Sequence, residues 1–118
     1  QVIGTVPEEA KAHNSTAELV ISADGKFLYV GNRGHDTNPV FAIDAKTGML
    51  ALKENIPSGG RTPRNVRIDP TGAWFFAANE NGGNVTEFKI DRATGHLTPT
   101  GVTVPISTPG GIYFLKAK

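Results

Sequence analysis

The chain has 118 residues, with 12 Lys and Arg against 11 Asp and Glu, three His and no Cys. Because the charge is nearly balanced, no basic field is available for nucleic acid phosphates or anionic lipid, and we expect neither nucleic acid nor a membrane as a partner. The lack of Cys excludes disulfides, thiolate metal sites and a Cys nucleophile. No apolar run approaches the roughly 18 residues of a membrane span, and the cytoplasm is the compartment expected by default.

The first 13 residues precede the main pattern of the chain. Residues 2–6 are typical of the tail of a strand. Residues 7–12 begin with Pro and two Glu, which suit a first helical turn, but no apolar stripe follows, so we predict a loop or a single turn. Gln1 opens the chain without an initiator Met, and we expect the chain to be cut from a longer array.

From residue 14 onwards the sequence repeats itself at a constant offset of 47 residues without a gap. A period in this range is typical of propellers and solenoids. The retained residues are either apolar, and suited to packing, or Gly and polar residues suited to turns. Ile21, Gly25, Asn32, Phe41, Ile43, Asp44, Thr47, Gly48 and Leu50 recur as Ile68, Gly72, Asn79, Phe88, Ile90, Asp91, Thr94, Gly95 and Leu97.

The first copy of the repeat predicts a meander of four short strands. Its first two strands are predicted at residues 18–22 and 27–32, separated by an Asp-Gly turn. The third strand is predicted around residues 41–43 and the fourth near Leu50. Pro39 lacks a backbone donor and fits only at the beginning or edge of the third strand.

The second copy predicts the same meander, with strands at residues 65–69, at 74–79, around 88–90 and near Leu97. Residues 107–115 resemble the beginning of a third copy. The periodic recurrence of apolar residues predicts that six of them are largely buried. They are Ile21, Val30, Phe41, Ile68, Phe76 and Phe88.

These units predict an all-β protein made of β-propeller blades, each a four-stranded antiparallel meander. We expect residues 1–13 to form the end of a preceding blade and a loop, 14–60 one blade and 61–107 a second. Residues 108–118 would then begin a closing blade.

Two stretches of the sequence resemble the bacterial seven-bladed propeller lactonases related to 6-phosphogluconolactonase. They are residues 14–36, NSTAELVISADGKFLYVGNRGHD, and residues 62–72, TPRNVRIDPTG. The Asn-Arg-Gly-His-Asp run at residues 32–36 is the most specific element. The resemblance covers nearly the whole chain and maps to the C-terminal end of the family, which implies about two and a half blades of a seven-bladed ring. Fungal enzymes that lactonise carboxymuconate share this fold, so the fold alone does not name the substrate.

In a ring of this family, first strands line a central channel and loops at one end form the pocket. The resemblance therefore implies a pocket that contains Glu18, Arg33, His35, Arg64 and Asn79. A carboxylate or an imidazole activates water as a general base, so Glu18 and His35 are the candidate catalytic groups. Arginine binds carboxylate or phosphate oxygens through a planar fork, so Arg33 and Arg64, together with Asn79, are the candidate substrate-binding residues.

Each of these residues also has a structural alternative. The position of Glu18 equally suits a solvated or paired strand carboxylate, and the position of Arg64 also suits an ion pair between blades. Arg33 and His35 break the repeat but also suit a solvated turn. Asn79 recurs in both copies, so a shared turn or capping role explains it better than ligand contact. His96 follows a turn, and we expect it to face solvent.

Three hypotheses of function remain open. The first is a sugar-lactone hydrolase whose substrate is a small sugar lactone. The second is a non-catalytic scaffold or binding module, and the third is a ring that binds Ca²⁺ through Glu and Asn oxygens. No three-His or two-His-one-carboxylate pattern is present, so we predict no transition metal and no cofactor. Uncovered blade faces predict that the chain needs the missing blades or associates with itself.

Overall fold

The computed structural model describes residues 1–118 and consists of two four-stranded antiparallel sheets, each with its strands in chain order. This architecture confirms the predicted all-β class and the meander form of the blades. The first sheet contains β1 (Ser15–Ile21), β2 (Phe27–Arg33), β3 (Thr37–Ile43) and β4 (Leu50–Pro57). The second sheet contains β5 (Pro63–Ile68), β6 (Trp74–Asn79), β7 (Asn84–Ile90) and β8 (Leu97–Pro105).

A short 3₁₀ helix, Glu8–His13, precedes β1. It lies where the sequence predicts a loop or a single turn, and none of its residues is buried. No helix in the structure has the length and apolar character needed to cross a membrane.

Aspartate side chains shape the first hairpin turn of each sheet. Asp24 accepts hydrogen bonds from the Ser22 hydroxyl and the Lys26 amide, and Asp69 accepts from the amides of Ala73 and Trp74. Such local bonds favour a turn over the continuation of a strand. The two turns close the β1–β2 and β5–β6 hairpins.

The main hydrophobic core lies between the two sheets. Phe27, Tyr29 and Val40 of the first sheet pack against residues of the second sheet that include Val66 and Phe75. The Tyr29 and Phe75 ring centroids are 5.4 Å apart. Because alternate residues of a strand point to opposite faces, the intervening residues of β2 and β3 form a second, smaller cluster on the far side of the first sheet.

The predicted core is confirmed in part. Val30, Phe41 and Phe88 are buried, whereas Phe76 and Ile68 are half-buried. The prediction for Ile21 is wrong, because its side chain is 53% exposed. Its neighbour on β1, Val20, points to the other face and packs against the core between the sheets, so Ile21 lies on the side of β1 that the second sheet does not reach.

The strand tail expected at residues 2–6 is absent, and residues 107–115, which resemble the beginning of a third copy, also form no strand. Both segments adopt bends and irregular coil, and they contact the sheets through side chains and carbonyl groups. Ile3 packs on the smaller cluster, and the Thr5 carbonyl accepts bonds from the Asn32 and Asn55 side chains. At the other end, the Phe114 ring lies 5.6 Å from that of Phe76. Each end thus covers a sheet with side chains instead of adding a strand to it.

Pro39 lies third in β3 and is fully buried. It stands opposite Asn55 of β4, while the β2–β3 register includes no partner for it. The interruption of that ladder accommodates a residue that has no amide proton.

Candidate functional site

An open cleft of about 360 Å³ lies beside β1, β2 and β5. Glu18 of β1, Arg33 of β2 and Arg64 of β5 line it together with Ala17 and Leu19. Three of the five predicted site residues, which are up to 46 positions apart in the sequence, are therefore brought to one surface. The strands meet here because β5 packs against both β1 and β2.

The carboxylate of Glu18 bridges the two sheets. Its Oε1 lies 3.3 Å from Nη1 of Arg67, and its Oε2 accepts a hydrogen bond of 3.1 Å from Nδ2 of Asn65. Both partners lie on β5. Arg67 compensates the charge of Glu18, and the two contacts fix the orientation of the carboxylate at the cleft.

Arg33 ends β2 with its guanidinium directed across the beginning of β1. Its Nη2 donates to Oγ of Ser15 at 2.8 Å and to the Thr16 carbonyl at 3.4 Å. Its Nε is buried and has no hydrogen-bond partner. A guanidinium has five N–H donors, so Arg33 retains donors for a ligand and has no carboxylate paired with it.

Arg64 lies second in β5, directly after the buried Pro63. Its side chain is 55% exposed, and its Nη1 lies 2.7 Å from Oε2 of Glu80. An exposed ion pair of this kind contributes only about 0–1 kcal/mol. An anionic ligand can therefore replace Glu80 as the partner of Arg64 at little energetic cost.

His35 and Asn79 do not line this cleft. His35 lies in the β2–β3 turn, with Nδ1 2.8 Å from Oγ1 of Thr37. Asn79 is 0% exposed, and its Nδ2 donates to Oγ1 of Thr86 at 3.2 Å. This burial favours a structural role for Asn79 over contact with a ligand.

The sequence reasoning did not select Arg67 or Glu80. Arg67 occupies the repeat position of Val20, and this replacement of an apolar residue by a charged one was the available signal. Glu80 occupies the repeat position of Arg33, so opposite charges at equivalent positions were also visible. No three His, Cys, Asp or Glu side chains come together in a group that could hold a metal ion.

Two successive four-stranded meanders, packed face to face with a polar cleft beside their first strands, define blades of a β-propeller. A family model described as "Lactonase, 7-bladed beta-propeller" matches residues 1–114. The chain belongs to this family, which confirms the resemblance found in its sequence.

Named relatives agree with this assignment. The chain is 36% identical over 115 residues to a 6-phosphogluconolactonase of Bacillus subtilis, a match that covers 98% of the chain and 33% of the relative. It is 42% identical over 84 residues to a 6-phosphogluconolactonase of Formosa agariphila, covering 70% of the chain and 24% of the relative. The chain thus spans a third or less of the length of these curated relatives.

Solved structures show the same architecture. A protein from Lactobacillus plantarum superposes with a TM-score of 0.91 at 36% identity, over 97% of the chain and 33% of that protein. The periplasmic gluconolactonase of Pseudomonas aeruginosa superposes with a TM-score of 0.78 at 33% identity, over 81% of the chain and 27% of that protein.

Proposed function

We propose that this segment supplies one wall of the active site of a sugar-lactone hydrolase. The observation that carries the proposal is the convergence of Glu18, Arg33 and Arg64 on one cleft. A carboxylate and two guanidinium groups are the groups needed to direct water and to bind an anionic ester. The relatives named 6-phosphogluconolactonase support a lactone as the substrate class.

In the proposed reaction, water attacks the carbonyl carbon of the lactone, and the ring C–O bond breaks. The ring oxygen takes up a proton, and the product is an open hydroxycarboxylate. Arg33 stabilises the negative charge that develops on the carbonyl oxygen, because its donors are not neutralised by a carboxylate. Arg64 exchanges Glu80 for the anionic group of the substrate.

Glu18 directs the attacking water in this proposal, because it lines the cleft and its carboxylate is held by Asn65 and Arg67. His35 is the second candidate for the base, from a turn at the same end of the sheet as Arg33. If Glu18 has this role, Glu18→Gln lowers the hydrolysis rate far more than His35→Gln does. The reverse order would assign the base to His35.

The proposal is tested in a complete ring, made by replacing the corresponding third of the Bacillus subtilis relative with this segment. We expect Arg64→Ala to lower kcat/KM for 6-phosphogluconolactone by about 10-fold to 100-fold, since a hydrogen bond to a charged group contributes about 1.5–3 kcal/mol. His96→Ala is the control, because His96 lies outside the cleft and pairs with Glu54. The two variants are compared at matched stability, since a blade mutation also acts through folding.

Equal losses in Arg64→Ala and His96→Ala would contradict the site assignment. A ring that binds the product 6-phosphogluconate but never turns over the lactone would favour the non-catalytic alternative. Activity abolished by a chelator would favour the Ca²⁺ hypothesis.

We place this reaction in the cytoplasm, and fractionation of the native host tests that compartment.

The partners in this proposal are the remaining blades of a ring or further copies of the chain. Apolar side chains are exposed on both sheets, with Leu19 and Ile21 on β1 and Val102 and Val104 on β8. An exposed apolar surface favours association through burial.

A further inference from the structure

Asp36 lies in the turn between β2 and β3, directly after His35, with a left-handed φ of 58°. Its backbone amide donates to the Asn32 carbonyl at 2.9 Å, and its own carbonyl accepts from the Ser58 amide at 2.9 Å. Its Oδ1 accepts from the Gly34 amide at 3.2 Å. Asp36 thus organises the turn that follows Arg33.

The same carboxylate oxygen also reaches the second sheet. Oδ1 of Asp36 accepts a 2.8 Å hydrogen bond from the amide of Thr62, the residue before β5 begins. The other four aspartates, Asp24, Asp44, Asp69 and Asp91, have their hydrogen bonds within their own turns. The bond from Asp36 spans 26 residues, so it connects two blades instead of capping one turn.

The residue that Asp36 holds is itself in an uncommon conformation. Thr62 has a left-handed φ of 60°, which a β-branched residue adopts only where surrounding contacts impose it. Its carbonyl accepts from the Glu80 amide at 2.9 Å, and its Oγ1 accepts from Nδ2 of Asn81 at 2.9 Å. Thr62 is two residues from Arg64, and Glu80 is the ion-pair partner of Arg64.

From these contacts we propose that Asp36 is a positioning residue that sets Arg64 relative to Arg33 across the cleft. Its carboxylate joins the turn after Arg33 to the backbone that leads into Arg64, without touching the substrate itself. This inference rests on the proposed function only in naming the lactone-binding cleft as the place where the geometry matters.

The test uses the 118-residue chain and three variants. Asp36→Gly removes the carboxylate and tolerates the left-handed φ without strain. Asp36→Asn keeps an oxygen acceptor and also tolerates that conformation. Asp44→Ala is the matched control, because Asp44 accepts bonds from Lys46 and Thr47 in a turn of the same sheet but contacts no other blade.

The first readout is amide hydrogen exchange without ligand. We expect Asp36→Gly to raise the exchange rates of the Thr62 and Glu80 amides by about 10-fold or more beyond any increase caused by lower global stability. The reason is that the rate at such amides depends on local opening of the structure. It also shifts the Nε–Hε resonance of Arg64. Asp36→Asn retains most of the protection, and Asp44→Ala leaves these signals unchanged. Unchanged exchange and an unchanged Arg64 resonance in Asp36→Gly would overturn the positioning role.

The second readout is the affinity for 6-phosphogluconate, measured by chemical-shift titration at equal folded fraction. We expect Asp36→Gly to weaken binding about 10-fold, since small misplacements of binding groups are costly, whereas Asp36→Asn and Asp44→Ala stay within about twofold of wild type. Equal weakening by Asp36→Gly and Asp44→Ala would overturn the proposal. Failure of the wild-type chain and of the complete ring to bind 6-phosphogluconate would count against the proposed function, while the exchange readout still decides the role of Asp36.

Discussion

The contact between Gly31 and the beginning of β5 offers a direct test of how the two blades are held together. Gly31 lies on β2, two residues before Arg33, and faces the backbone of Pro63. A Cβ atom at position 31 would lie 2.5 Å from the Pro63 carbonyl oxygen and 3.4 Å from Cγ1 of Val66. Gly31→Ala therefore forces a backbone atom, and not a flexible side chain, to move.

The size of the effect follows from this geometry. Ordinary contacts of a Cβ atom begin at 3.4 Å, so the two strands must separate locally by about 0.9 Å to admit the methyl group. Overpacking of this kind costs about 1–3 kcal/mol. For a chain of this length, that corresponds to a lowering of Tm by roughly 4–12 °C.

The free energy of unfolding is measured by urea denaturation and the Tm by calorimetry, both at one fixed protein concentration. Gly110→Ala is the matched control, because no atom lies within 4 Å of a Cβ at position 110 and its φ is not left-handed. We expect that control to stay within about 0.5 kcal/mol of wild type. If Gly31→Ala were equally neutral, the close approach of β2 to β5 would not hold the cleft, and the reasoning about the site geometry would fail.

Three further predictions concern stability and association. Burial, followed by the carboxylates of Asp24, Glu54 and Asp91, raises the pKa of Tyr29, so the contribution of Tyr29 to stability is present below pH 10 and is lost as the pH rises further. In urea titrations, we expect Tyr29→Phe to remove this alkaline loss. At neutral pH the same variant costs about 1 kcal/mol, because the bond to the Gly95 carbonyl disappears. Backbone and side-chain bonds from Thr47 and a backbone bond from Lys46 lower the pKa of Asp44. Its contribution to stability is therefore present above pH 3.8 and is lost as the pH falls through the lowered value. In urea titrations at acid pH, we expect Asp44→Asn to reduce this loss. Light scattering over a wide concentration range is expected to show assemblies larger than one chain, and a stable 12.5 kDa monomer at high concentration would contradict the need for partners.

The cleft was predictable only in part. The Asn-Arg-Gly-His-Asp run and the Thr-Pro-Arg stretch singled out Arg33 and Arg64, and both line the cleft. The same reasoning also selected Asn79, which is fully buried and bonds to Thr86. A strand-end position in the sequence does not reveal whether a side chain points to a cleft or to a neighbouring blade.

The sequence by itself determined the local structure of this protein. The strand predicted at residues 74–79 coincides with β6, because a nearly continuous apolar run between turn residues needs only its own neighbours to define it. The repeat of 47 residues likewise determined that there are two equivalent meanders, since the same turn and strand residues recur at the same spacing.

The tertiary structure decided which residues meet across the blades. It placed Glu18 against Arg67, 49 positions away, and the Asp36 carboxylate on the Thr62 amide. It also left Ile21 exposed and the chain ends without strands. These outcomes depend on how one sheet faces another, and a periodic pattern determines only which residues share a face of a strand, not what will cover that face.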